Sequence, residues 1–408
     1  MAGSLGLAAY RALAQRGEGT GYVADQPRPR GEVVWFHAPE PGSLRTVLDI
    51  AARVNANRPG LHAVITVERG SRPDHAGSDE TLCVTEMPDD HPRSIAAFLD
   101  HWKPDACVWF WGRLQPNLIL ETAARDCPLL LVDADTGGFD GRRDRWLRDL
   151  TRELLSHFDA ILVRSQAGFR RLTHLGAPPT VLRITEPLIP GGKALPCADS
   201  DLAEMSKALK GRPVWFANRV LPEELNIVLT AHRHALRLSH RLLLILFPSD
   251  PAQAEQMAEQ AATRDFRVLR WGSDIYPEDS TQVLVAEDPG DMGLFYRVAP
   301  VSFLGSSLVA DHGGGDPFEA AALGSAVLYG PNVRRFLPAY SRLAATGAAR
   351  IVNDAVALGT AVSRLIAPDQ AATMAHAGWD VVSEGAAQTD RVTDLIIDAL
   401  DGALSGGN

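Results

Sequence analysis

Val301-Ser-Phe-Leu-Gly-Ser-Ser-Leu-Val-Ala-Asp-His-Gly-Gly-Gly-Asp-Pro-Phe-Glu319 places a short apolar run, a loop ending in three glycines and a helix start in immediate succession. The order strand, glycine loop, helix is the βα half of a βαβ unit, and its apolar run carries no polar alternation, as expected of a strand buried on both faces of a parallel sheet. Working outward, the same pattern recurs along the chain. Seven short apolar runs, near Val33–Phe36, Ala63–Val67, Leu82–Thr85, Ala106–Phe110, Pro128–Val132, Ala160–Val163 and Val181–Ile184, alternate with stretches of helical period. Seven more follow near Pro213–Ala217, Leu242–Phe247, Arg267–Trp271, Val283–Ala286, Val301–Leu304, Ala326–Tyr329 and Arg350–Val352. The fold class is therefore α/β with two Rossmann-like halves. The turn-rich Ile189-Pro-Gly-Gly-Lys-Ala-Leu-Pro-Cys197 breaks the alternation. The expected domains are 1–192 and 211–408, joined by a linker over 193–210; the last helix, about 390–403, fits either half.

At 408 residues the chain is long enough for two or three domains. Its 46% hydrophobic and 22% charged residues exclude wholesale disorder. A formal net charge of −10 leaves no global field for nucleic acid or an anionic membrane, so anion binding has to be local. Cys83, Cys107, Cys127 and Cys197 lie far apart without a CxxC pair, which fits a reducing cytosol better than a disulfide framework or zinc ribbon. The apolar stretch Leu5 to Ala14 is interrupted by Arg11 and too short to span a bilayer. The expectation is a cytoplasmic protein, at most peripheral to a membrane.

Four segments carry chemistry. Gly313, Gly314 and Gly315 expose backbone N–H groups before a helix whose Asp316, Pro317 and Glu319 read as N-cap, N1 and N3. Such a turn holds a phosphate without side-chain charge, or simply starts a helix; three glycines exceed what capping needs. His37-Ala-Pro-Glu40-Pro-Gly42-Ser43 lies beyond the carboxyl end of the first strand, where open α/β sheets place ligands. His37 and Glu40 are its titratable candidates for a general base, against the alternative of a stiff surface loop. Asn117 in Leu114-Gln-Pro-Asn117 reads first as a helix cap. Asp133-Ala-Asp135 is a weak metal-site or phosphatase-like pattern beside its reading as a loop anchor. No Gly-x-Ser-x-Gly elbow, Walker A loop, His-Glu-x-x-His or Gly-x-Gly-x-x-Gly fingerprint is present.

The order of these fragments resembles the 3-deoxy-D-manno-octulosonic acid (Kdo) transferases. That family's His-Ala-x-Ser-x-Gly-Glu loop looks like His37–Ser43; its Pro-x-Asp turn is similar to Met87-Pro-Asp-Asp-His-Pro92; its Glu-Leu-Trp-Pro-Asn is similar to Arg113-Leu-Gln-Pro-Asn117. Arg164-Ser-Gln166, Glu223-Glu224, Leu244-Ile-Leu-Phe-Pro-Ser-Asp-Pro251, Gly290-Asp-Met-Gly-Leu-Phe-Tyr296, Phe303–Leu308, Gly313-Gly-Gly-Asp-Pro-Phe-Glu319 and Leu328-Tyr-Gly-Pro331 follow in the family's order. The resemblance runs from about residue 32 to 380.

It implies a GT-B fold with two parallel sheets facing a central cleft, and inverting, metal-independent transfer of Kdo from CMP-Kdo to a lipid A precursor or related glycan in lipopolysaccharide synthesis. No cofactor is expected beyond the nucleotide-sugar donor, no nucleic acid partner, and only peripheral contact with the inner membrane. The second domain would bind the nucleotide through Asn218, Arg219, Ser249, Gly313, Gly314, Gly315, Asp316 and Glu319, the last at the ribose diol. Gly42, Arg113 and Asn117 of the first domain would meet the acceptor, with His37, Glu40 and Ser43 at the chemistry. Departures mark the site: Ser43 stands where the family has its catalytic Glu, Ser249 and Asp250 where it has Arg and His, Asp316 where it has Asn, and Arg113 where it has a carboxylate. A serine unassisted by a base does not take a proton near neutral pH, which leaves Glu40 as the carboxylate of that loop. Arg219 and Arg334–Arg335 are the cations expected to replace the lost phosphate ligand. Two further expectations stay open: a non-catalytic binding protein of the same fold, and a transferase for a UDP- or GDP-sugar.

Overall fold

The computed structural model describes residues 10–12, 19, 21–39, 41–70, 81–137, 148–188, 194–272 and 275–406. Two compact units emerge: Met1–Pro190 together with Gly385–Asn408, and Gly191–Glu384. Each is built on a seven-stranded sheet whose paired strands are all parallel. All fourteen expected strands are present. The Rossmann-like α/β class therefore stands as read.

In the first unit, β1 (Val33–Ala38), β2 (His62–Val67), β3 (Leu82–Glu86), β4 (Ala106–Phe110), β5 (Leu129–Ala134), β6 (Ala160–Val163) and β7 (Leu182–Ile184) lie in the order β3-β2-β1-β4-β5-β6-β7. The strand order reverses between β1 and β4, the switch point at which an open sheet leaves a crevice beyond its carboxyl edge. Alternate residues of β1 serve two cores. Val33 and Trp35 face Phe98, Trp102 and Trp109, with Trp35 edge-on to Phe98 at 5.0 Å and to Trp109 at 5.8 Å. Val34, Phe36 and Ala38 face Ile50 and Val54 of the helix Pro41–Asn57.

The second unit carries β8 (Val214–Val220), β9 (Leu243–Pro248), β10 (Val268–Arg270), β11 (Val283–Val285), β12 (Val301–Leu304), β13 (Ala326–Tyr329) and β14 (Ala349–Ile351) in the order β10-β11-β9-β8-β12-β13-β14. Its switch point falls between β8 and β12, whose following loop carries the three glycines.

The domain limits differ from those expected at two places. Residues read as a linker hold the helix Asp199–Leu209, which belongs to the second unit. Its first turn carries Asp199 and Asp201, which suit the positive end of a helix dipole. The expected last helix, about 390–403, is the end of one continuous helix, Pro368–Gly406, of 39 residues. Gly385 in mid-helix costs only about 1 kcal/mol relative to Ala and does not break it. From Gly385 onward the chain returns to the first unit, where Val392, Ile396 and Leu400 join Phe36, Ile50 and Val54.

Candidate functional site

In the second unit the sequence-predicted residues converge on the switch point. Asn218, next to last but one in β8, is fully buried and donates from Nδ2 to the Tyr296 hydroxyl at 2.6 Å. Arg219 follows in the left-handed region, φ 54°, with its side chain exposed. Gly313 and Gly314 also have positive φ, 81° and 78°, so the expected glycine turn is a conformational need at those two positions. At Gly315 a Cβ would sit 3.3 Å from Cδ of Arg219, so the arginine stem lies directly on the glycine backbone. Ser249, after β9, holds the same edge. Its N–H donates to Val220 O at 2.8 Å and its hydroxyl lies 3.3 Å from that of Ser306.

Asp316 acts as the N-cap, accepting from the Phe318 N–H at 3.0 Å, and Pro317 is the first helical residue. Tyr340 donates its hydroxyl to Gly315 O at 2.8 Å and fixes the end of the glycine loop. Burial raises the Tyr296 hydroxyl far above its ordinary value, and the Glu319 charge adds to the shift, so this tyrosine remains neutral. The two acidic replacements are both used for local capping: Asp250 accepts from Ala252 N at 3.1 Å and Asp316 from Phe318 N. Arg335, one of the expected cations, backs Gly313, whose Cβ would fall 2.9 Å from Arg335 Cβ.

Glu224, Tyr296, Ser306 and Tyr340 belong to this site and were not among its expected residues. Glu224 had a local signal, as N3 of a helix begun by Pro222, and Tyr296 ends the family-like fragment Gly290–Tyr296; Tyr340 reaches the site through tertiary packing and left none.

In the first unit the loops after β1, β3 and β4 meet at the switch point. A Cβ on Gly112 would lie 2.6 Å from Pro39 Cβ, so the β1 and β4 loops touch there and only glycine fits. Arg113 follows, exposed, its charge acting on Asp90. Asn117 is not a cap. Its N–H and that of Leu118 donate to the Asp90 carboxylate at 3.1 and 2.9 Å, and its own Nδ2 donates to Asp90 O at 2.9 Å. Asp90 of the Pro-x-Asp-like turn thus caps this helix from another loop, helped by the Tyr10 hydroxyl at 2.6 Å. Burial raises its carboxyl, and these donors pull it back down.

His37 is corrected from a loop base to a core residue. β1 runs to Ala38, two residues beyond the expected end, and puts His37 on the inner row with Val33 and Trp35. It is fully buried, its ring tilted at 53° against Trp109 with centroids 4.4 Å apart, and its Nδ1 is 3.1 Å from Thr66 Oγ1. Removal from water lowers its pKa to about 3, so near neutral pH it is uncharged and out of reach of solvent. Gly42 and Ser43 fall in the first turn of the helix Pro41–Asn57, with Ser43 half-buried. Glu40 lies outside the described residues.

Asp133, left-handed at φ 63°, does not fit the metal reading. Its carboxylate takes both arms of the Arg164 guanidinium, Nε at 2.6 Å, and the Leu188 N–H at 3.0 Å. Arg164 also lies 3.9 Å from Asp135. The pair anchors the chain where it leaves the first sheet.

The profile of the family described as 3-deoxy-D-manno-octulosonic-acid transferase (kdotransferase) matches residues 13–188. Among characterised relatives, the 3-deoxy-D-manno-octulosonic acid transferase of Haemophilus influenzae is 26% identical over 381 residues, 91% of this chain and 88% of that one. The enzyme of the same name from Bordetella pertussis is 29% identical, spanning 92% of this chain and 90% of its own. Among solved structures, the C-terminal CMP-Kdo binding domain of WaaA from Acinetobacter baumannii is 23% identical, covering 44% of this chain and 96% of that one, with a TM-score of 0.40. Relatives of one name that span both units, together with a profile on the first, make this chain similar along nearly its whole length to the 3-deoxy-D-manno-octulosonic acid transferases.

Proposed function

We propose that the protein transfers Kdo from CMP-Kdo to a lipid A precursor or related glycan in lipopolysaccharide synthesis, with inversion and without a metal. The observation that supports it most is Arg219 laid against Gly315 at the second unit's switch point, a cation where the phosphate of a nucleotide sugar needs one. As the anomeric C–O bond breaks, negative charge grows on the CMP phosphate. The Arg219 guanidinium and the N–H groups of Gly313 and Gly315 are the donors proposed for that charge, the Gly314 N–H being held by Ser306 O at 2.8 Å. Glu319 would accept from the ribose diol.

The acceptor hydroxyl has to lose a proton to a group of the first unit. His37 is excluded by burial and a pKa of about 3. A serine hydroxyl at 43 is by itself too weak a base near neutral pH, and the carboxylate of the same loop, Glu40, is the group proposed for the task. Gly42, Arg113 and Asn117 border the acceptor side. Among the described residues no helix is long and apolar enough to cross a membrane, and the reading assigns the protein to the cytoplasmic side with peripheral contact at the inner membrane.

CMP or CMP-Kdo is expected to raise the melting temperature more than UDP or GDP does. Glu40→Ala is expected to abolish Kdo transfer and leave CMP binding intact. Unchanged turnover in that variant would remove Glu40 from the mechanism. Because Ser43 replaces the family's Glu, a second reading as a binding protein is marked by CMP affinity without turnover. Preferential stabilisation by UDP or GDP would instead change the donor.

A further inference from the structure

A loop that turns several successive N–H groups inward makes a nest for an anion, and the switch point of a parallel sheet is where ligands reach it. In the second unit the nest is already filled from within. The N–H groups of Ser306, Ser307 and Leu308, in the loop after β12, donate to the Glu224 carboxylate at 2.7, 2.9 and 2.8 Å. The Leu221 N–H, in the loop after β8, donates to it at 3.0 Å. Glu224 itself is fully buried, so one carboxylate ties together the two loops that flank the switch point.

The consequences pass through Ser306 to Arg219. Ser306 is left-handed, φ 54°, and its hydroxyl donates to Arg219 O at 2.8 Å. Gly305 N–H holds the neighbouring Asn218 O at 2.7 Å. A Cβ on Gly305 would lie 2.6 Å from Arg219 O, so the two loops are in backbone contact. A non-glycine residue at positive φ persists only where its surroundings over-determine it. At Arg219 those surroundings are Ser306 and Gly305. The left-handed turn is what sends the arginine stem across Gly315.

We propose that Glu224 is a positioning residue: a built-in carboxylate that occupies the switch-point anion nest and, through Ser306, fixes the left-handed Arg219 whose guanidinium takes the donor phosphate. This rests on the donor reading above. It means that the nucleotide phosphate is kept out of the nest and directed to Arg219 and the Gly313–Gly315 loop, while Glu224 never touches the ligand.

The test compares full-length wild type with Glu224→Gln, Glu224→Ala, Ser306→Ala and Arg219→Ala, by calorimetric titration of CMP and of cytidine, which lacks the phosphate. Glu224→Gln and Ser306→Ala are expected to weaken CMP by about tenfold or more, as Arg219→Ala does, and to leave cytidine within about twofold. In a parallel arm, formate is expected to raise the melting temperature of Glu224→Ala but not of wild type, by refilling the nest, and chloride at equal ionic strength is not. Equal loss of CMP and cytidine in Glu224→Gln and Ser306→Ala, or wild-type affinity for both, overturns the proposal and leaves the donor reading standing. If wild type binds no CMP, the donor reading fails and the link to Arg219 fails with it. Formate rescue then still decides whether Glu224 fills an anion nest, and its absence removes that part too.

Discussion

His37 and His232 are imidazoles taken out of water, one in each unit, and burial holds both at about pH 3 for half-protonation. In the unfolded chain each titrates near its ordinary value of about 6.5. Between those limits the unfolded state binds more protons than the folded one, so stability is full above about pH 6.5 and drains away as the pH falls. Each histidine contributes a slope of up to about 1.4 kcal/mol per pH unit within the window. His37→Asn keeps a side-chain donor beside Thr66 Oγ1 and removes the titration. The variant is expected to be less stable at pH 8 yet to show a flatter decline in urea midpoint from pH 6.5 to 4.5; an unchanged slope would mean that His37 does not carry it. The same residue marks a limit of the sequence reading. A strand ending at Phe36 leaves His37 in a loop as a plausible base; a strand ending at Ala38 turns it into the core, and two residues at a strand end are not fixed by local pattern.

At the scale of elements, the helix Pro368–Gly406 decides how the chain closes. Val392, Ile396 and Leu400 recur every four residues and are buried against β1 and the helix Pro41–Asn57. Ion pairs flank this stripe, Arg53 with Asp390 at 2.7 Å and Arg58 with Asp401 at 2.7 Å, both with half-open acidic partners. Such pairs are worth about 0–1 kcal/mol, whereas deleting a fully buried Ile side chain costs about 2–5 kcal/mol. Ile396→Ala is therefore expected to destabilise the first unit by that larger amount, and Asp390→Ala by less than about 1 kcal/mol, in urea unfolding followed by hydrogen exchange of β1 amides. Comparable effects would make the electrostatic clasp, not the apolar stripe, the attachment. An amphipathic period shows that a helix has an apolar face but not which sheet it covers, which is why this return crossing was invisible in sequence. The helix Asp199–Leu209 was hidden for another reason: it follows a run of Pro and Gly so closely that turn chemistry dominated the reading.

Across the whole molecule, fourteen strands were legible because strands buried on both faces are uninterrupted apolar runs, a signal independent of long-range contacts. Their order in the sheets, and so the two switch points, was not, since pairing joins residues far apart in sequence. The second-unit residues proposed for the donor lie together because each sits at or just past the carboxyl end of a strand: Asn218 and Arg219 at the end of β8, Ser249 after β9, Gly313 after β12. A net charge of −10 gives no long-range attraction for an anionic ligand, so under the proposed function affinity for the nucleotide has to come from that one cluster. The two units have separate cores and separate switch points. At a CMP concentration about a hundred times its Kd, mass action adds about 2.7 kcal/mol to every opening that destroys the site. Amides of residues 219–224 and 305–308 and of strands β8, β9 and β12 are expected to gain protection from hydrogen exchange on adding CMP, while β1, β4 and the loop 111–115 stay unchanged. Protection gained at 111–115 with none at 305–308 would move the nucleotide to the first unit and reverse the assignment of donor and acceptor sides.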